Sequence, residues 1–179
     1  DWSIRIPQLN IGSGSLALTA SARAAGWSMD VRPNLVPVER IAGLIPGGAL
    51  PADWGVAGRA SGVVEVSGQS SDPARLVADL VIDQLNYASP DGRQAADNLL
   101  LKIGLSGRAD GAAWSFDANL AWPSGAVYSE PLFLDASQTG LQASAQGSWQ
   151  PRWAGLEFDA WAVALADTVR VSGTGRVDL

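Results

Sequence analysis

Apolar and polar residues alternate one for one along almost the whole chain. Leu16, Leu18, Ala20 and Ala22 alternate with Ala17, Thr19, Ser21 and Arg23, and Trp27, Met29 and Val31 with Ser28, Asp30 and Arg32. Val56, Gly58, Ala60, Gly62, Val64 and Val66 fall on one parity, Leu76, Ala78, Leu80 and Ile82 on another. The pattern continues through Leu99, Leu101, Ile103 and Leu105, then Trp114, Phe116, Ala118, Leu120 and Trp122. Leu141, Ala143, Ala145, Gly147 and Trp149 follow, then Val169, Val171, Gly173, Gly175 and Val177. Successive side chains of a strand point to opposite faces, so this period fits strands with one apolar face and excludes a helical fold.

Turn residues bound the runs. Ser89-Pro90-Asp91-Gly92 has Pro at a first corner and Gly for positive φ, and Asp110-Gly111 and Pro123-Ser124-Gly125 read as turns as well. Short connections imply antiparallel neighbours in chain order. Bulges or register changes are expected near Gln84, around Pro131 and at Ala160–Trp161, where the parity flips. In one place the period changes: Val38, Ile41, Leu44 and Ile45 follow helical spacing, with Pro37 suited to a first turn and Pro46-Gly47-Gly48 as a stop. The expected fold is all-β: a curved antiparallel meander of roughly ten strands, with one short amphipathic helix near 37–45. The chain begins at Asp1 and stops in mid-pattern at Leu179, so residues 1–179 are read as a single segment of a longer protein.

Composition narrows the chemistry. The chain has no Cys and no His, which removes thiol and imidazole catalysis, disulfides and most transition-metal sites. A net charge of −6 with Lys102 as the only lysine suits neither nucleic acid nor anionic headgroups. No run approaches the roughly 18 apolar residues of a membrane-spanning helix. Asp79/Asp83 and Glu157/Asp159 pair up by parity, but on the polar face, where a solvated surface explains them. Gly12-Ser13-Gly14 and Gly173-Thr174-Gly175 lack the following helix and the Lys-Ser/Thr of a phosphate loop. Neither an enzyme nor a cofactor or metal site is expected. Trp114, Trp122 and Trp149 share the apolar parity, while Trp2, Trp54 and Trp153 lie near strand ends. They suit core packing, a sugar platform, a membrane-interface belt or a lipid-lined groove.

From Pro37 onward the order of elements carries a resemblance. The amphipathic stretch VPVERIAGLIP leads to a Gly-rich strand, LPADWGVAGRASGVVEVSG. The long meander LNYASPDGRQAADNLLLKIGLSGRADGAAWSFDANLAWPSGAVYSEPLFLD follows. This succession resembles the AsmA-like superfamily, in particular its YdbH and TamB branches. The resemblance implies a periplasmic protein anchored in the inner membrane of Gram-negative bacteria. Its sheet would curl into a groove that passes phospholipid toward the outer membrane, and it would carry no catalytic residues. The implied partners are phospholipid acyl chains, neighbouring segments of the same parent chain and an outer-membrane lipoprotein or barrel.

The physics suits that role. At about 0.8 kcal/mol per CH₂, two acyl chains of roughly 30 methylenes carry up to about 24 kcal/mol of exposure to be shielded. Abundant Ala, Val and Gly on the inner parity leave width for chains, where a closed core would favour Leu and Phe. The expected groove floor is Leu99, Leu101, Ile103, Leu105, Trp114, Phe116, Leu120, Trp122 and Leu141. Two other readings stand beside it: a secreted β-sandwich module for carbohydrate or protein, and a small outer-membrane β-barrel.

Overall fold

A computed structural model describes residues 1–42, 54–69, 72–150, 155–166 and 169–178. The expected class holds: the chain forms one open, curved, antiparallel sheet. The strands are β1 (Trp2–Ile11), β2 (Gly14–Arg23), β3 (Gly26–Asn34), β4 (Val36–Pro37), β5 (Gly55–Gln69) and β6 (Asp72–Ala88). They continue as β7 (Gln94–Asp110), β8 (Ala113–Ser129), β9 (Leu132–Asp135), β10 (Leu141–Gln150), β11 (Gly155–Leu165) and β12 (Val169–Asp178). Each pairs with its successor, except that the short β4 and β9 sit beside the ends of β5 and β8. One short helix, α1 (Val38–Ala42), and a helical turn, α2 (Ala136–Thr139), interrupt the meander.

The sequence placed the helix at 37–45. Pro37 instead closes β4, opposite Arg59, and α1 begins at Val38. Leu44 and Ile45 lie outside the described residues.

β6, β7 and β8 run for 17 residues each, beyond the usual 3–10, because they bend. A crease crosses β5–β8 at one level. The register slips between Ala57 and Arg59, between Ile82 and Leu85, and between Asp97 and Leu100. Gln84 and Asn98 take left-handed φ of 53° and 50° there, and Gly125 one of 94°. The Asn86 side chain repairs the ladder: its Oδ1 accepts the Asn98 N–H (2.9 Å) and its Nδ2 donates to the Gln84 carbonyl (2.8 Å).

The irregularity expected near Gln84 belongs to this crease. That expected at Ala160–Trp161 is also present, with Asp159 the extra residue between Phe158 and Trp161. Two readings are corrected. Pro123-Ser124-Gly125 is no turn but part of the crease inside β8, since Gly125 must lie against the Asn98 carbonyl, where a Cβ has no room. Pro131 marks no bulge; it lies in the turn from β8 into β9, after a cis peptide bond. The Ser89–Gly92 turn forms as expected, with Gly92 N–H on the Ser89 carbonyl (3.0 Å). There the Ser89 hydroxyl (2.6 Å) and the Arg93 N–H (3.1 Å) hold the Asp91 carboxyl below its ordinary range.

Beyond the crease the sheet is covered. Ala136 of α2 packs on Ala96, Leu99 and Trp122, with Leu85, Tyr87, Leu101, Val127 and Leu141 around them. Val38 of α1 packs beside Leu85 over Gly58 on the same side. These few residues are the largest buried cluster, and no second layer covers the rest of the apolar face, among the described residues.

Candidate functional site

Register aligns the apolar parities of successive strands into rows that cross the sheet. One row reads Ile4, Ala20, Met29, Val66, Leu76, Gly107, Phe116, Gly147, Phe158 and Gly175. The next holds Leu105 and Ala118, and the one after it Leu80, Ile103, Leu120, Ala143, Val163 and Val171. Trp122 pairs with Leu141 nearest the crease. A residue on one strand therefore stands beside its counterparts on both neighbours, and the face is continuous from β1 to β12.

From Leu76 to Gly175 the first row alternates large residues with glycine. Phe116 and Phe158 sit two strands apart with Gly147 between them, and their rings meet edge to face at 5.8 Å over that glycine. A Cβ at Gly147 would also run into the Glu157 carbonyl. Trp114 lies over Gly107, with Cε3 3.3 Å from where a Cβ would be, and Trp161 covers Gly173 at 3.0 Å in the same way. The aromatic rings thus lie down over glycines, as in aromatic rescue of strand glycines. The sequence showed the glycines and the aromatics; only the register shows that they face each other.

Side-by-side packing covers the flanks of these side chains but not their tops. Leu101, Ile103, Leu105, Trp114, Phe116, Leu120 and Leu141 are all half-buried, while their polar neighbours Lys102, Ser106, Ser115, Asp117, Asn119 and Gln142 are exposed. The whole chain exposes 11578 Å². A compact monomer of 18.6 kDa would expose about 8,200 Å². The excess fits a sheet one layer thick, both faces of which meet solvent. Of the nine residues expected on the floor, Ile103, Leu105, Trp114, Phe116 and Leu120 lie on this face away from the buried cluster, whereas Leu101 and Leu141 pack against it. Leu99 and Trp122 belong to the cluster itself: they are 4% and 8% exposed, sealed beneath α2. The Trp122 indole N–H is satisfied by the Ser124 carbonyl at 2.9 Å.

The opposite face carries ordinary solvated chemistry. Arg32 makes two hydrogen bonds to Asp30 (2.8 and 3.1 Å), and Gln146 donates to Asp117 (2.6 Å). Asp79, Asp83, Glu157 and Asp159 are exposed on β6 and β11 and converge on nothing. No cluster of three or more acidic side chains positioned for a metal occurs among the described residues. The dips in the molecular surface lie on this side. One, of about 700 Å³, is lined by Ala74, Arg75, Leu76, Val77, Ser106, Gly107, Arg108, Ser115, Phe116 and Asp117.

No family model, curated protein or solved structure matches this chain. The functional reading therefore rests on the sheet itself and on the resemblance of its sequence pattern.

Proposed function

We propose that the chain is a non-enzymatic stretch of a periplasmic lipid-transport sheet, which shields phospholipid acyl chains against its apolar face on their way between membranes. The observation that carries this reading is a broad apolar face that no second layer covers among the described residues, in a chain whose surface far exceeds that of a compact domain. Soluble monomers rarely expose continuous apolar patches beyond a few hundred Å², and larger ones mark a partner, a ligand or a membrane. Acyl chains suit this face because its small residues and flattened aromatics offer width without a specific pocket. A carrier that bound one lipid pose tightly would stall.

The alternatives have less support. A β-sandwich needs a second sheet facing the first, and a barrel needs its edges joined. Here β1 and β12 stand at opposite ends of one open path. On this reading those edges pair with further strands of the parent chain, anchored in the inner membrane and directed toward an outer-membrane partner.

The test is extraction. The purified chain, prepared without detergent, is extracted with organic solvent and the extract examined by mass spectrometry. The expected result is phospholipid in at least stoichiometric amount. Absence of lipid, with folding verified by circular dichroism, would turn the reading toward a protein-binding module.

A further inference from the structure

We propose that the two long sides of the floor differ in role: lipid headgroups align along the side marked by Trp2, Trp27, Trp114 and Trp149, and acyl chains run from there along the strands toward the side closed by α1 and α2. This rests on the lipid reading above and adds a polarity to it.

Four of the eight tryptophans occupy the same level of the sheet. Trp2 and Trp27 flank Ala22 on β1–β3, and Trp114 pairs directly with Trp149 on β8 and β10. Each lies two residues beyond the Ile4–Phe116 row, at the ends of its strand. Trp2 and Trp149 are 54% and 42% exposed. Among the described residues their indole nitrogens have no hydrogen-bond partner, whereas Trp122 on the far side is buried and satisfied internally. An indole is a large apolar body with one polar edge, and it settles where hydrocarbon meets water and headgroups.

The far side cannot take that part. Ala136 closes over Leu99 and Trp122 there, and Val38 over Leu85. A headgroup placed beneath them would lose its water and gain no donors, since the cluster around it is apolar. The distances agree. From Trp114 to Leu120 the floor measures about 20 Å along the strand, at roughly 3.3 Å per residue. One leaflet's chains fill about 15 Å, half the hydrocarbon thickness of a bilayer. A chain laid along β8 from the tryptophan side thus ends short of the covered side, and successive lipids lie side by side across the strands.

Phosphatidylethanolamine carrying a diazirine either on its headgroup or at the end of one acyl chain tests this. Each probe is doped into phosphatidylcholine vesicles, incubated with the full chain, illuminated, and the modified residues mapped by mass spectrometry. The headgroup probe is expected to modify the Trp114–Trp149 level at least fivefold more than the Leu105–Ala118 and Ile103–Leu120 levels, and the chain-end probe the reverse. Replacing Trp114 and Trp149 together by Leu keeps the floor apolar but removes both N–H groups. It should cut headgroup labelling at that level at least threefold and leave chain-end labelling within twofold. Labelling of the floor by both probes without preference for either side would overturn the polarity and leave the lipid reading standing. A headgroup pattern unchanged in the double variant would overturn the role of the indoles. No labelling by either probe would overturn both proposals, and sedimentation as a dimer would then identify a second copy as the cover of the face.

Discussion

Two leucines of the same parity show how environment separates identical side chains. Leu99 sits under Ala136 with only 4% of its surface exposed, whereas Leu120 is half-buried on the open floor. Truncating a sealed leucine leaves a cavity that its neighbours fill poorly, and about 2–5 kcal/mol is the usual cost. Leu99→Ala should fall in that range. Leu120→Ala loses only part of a transfer term and leaves no enclosed void, so about 1 kcal/mol is expected. The contrast is sharper for charge. Leu99→Asp buries an unpaired carboxylate and should abolish cooperative folding, while at Leu120→Asp the carboxylate reaches water and the domain should still melt as a unit. Urea denaturation of the four variants checks this; equal losses at the two positions would mean that the floor is in fact a sealed core. Sequence parity placed Leu99 and Leu120 alike. Nothing local to Leu99 reveals its cover, because Ala136 arrives from a connection more than thirty residues downstream.

Among the elements, the crease across β5–β8 shapes the molecule. It lets three strands of 17 residues bend, so that their far ends and the β8–β10 connection close one side of the floor. Gly125 makes the crease possible in β8: its φ of 94° disfavours a side chain, and a Cβ would press on the Asn98 carbonyl. Gly111, in the β7–β8 turn, has a φ of 61° but open space around it. Gly111→Ala should therefore cost about 1 kcal/mol, the left-handed penalty alone, and Gly125→Ala about 3 kcal/mol, with backbone displacement added. Chemical denaturation midpoints of the two variants measure the difference; similar losses would count against the crease. Part of this element was readable from the sequence. The parity disturbance near Gln84 is visible there, but Pro123-Ser124-Gly125 has the composition of a turn. Its neighbours in β7, themselves bulged at Asn98, hold it inside a strand.

At the scale of the whole molecule, β1 and β12 end the sheet and pair with no further strand among the described residues, although β1 carries Arg5, Pro7 and a bulge and β12 carries Arg170 and Arg176. Ile4 and Ile6 on β1 are 53% and 38% exposed, and Val169 and Val171 on β12 are 51% and 52% exposed. Exposed apolar residues on an edge with free backbone groups recruit further strands, and one or two charges per edge only partly oppose this. The isolated chain should therefore associate with itself as concentration rises. Ile4→Lys combined with Val171→Lys places a charge on each edge and should shift the distribution toward monomer in analytical ultracentrifugation, with the circular dichroism spectrum unchanged. A wild-type chain that is monomeric throughout the accessible concentration range would contradict this account of the edges.

The sequence alone determined that this chain is a one-sided antiparallel meander, because period-2 alternation and turn chemistry are local properties that short windows of residues carry complete. It also supplied the apolar face, since parity assigns every residue of a regular strand to a face. Only the tertiary structure decided which parts of that face are open and which are sealed, and that glycines lie beneath aromatic rings. It alone showed that Trp2, Trp27, Trp114 and Trp149 share one level. Those properties depend on register between strands and on where α1 and α2 come to rest. Both are set by bulges and by contacts between residues far apart in the chain, which no local pattern encodes.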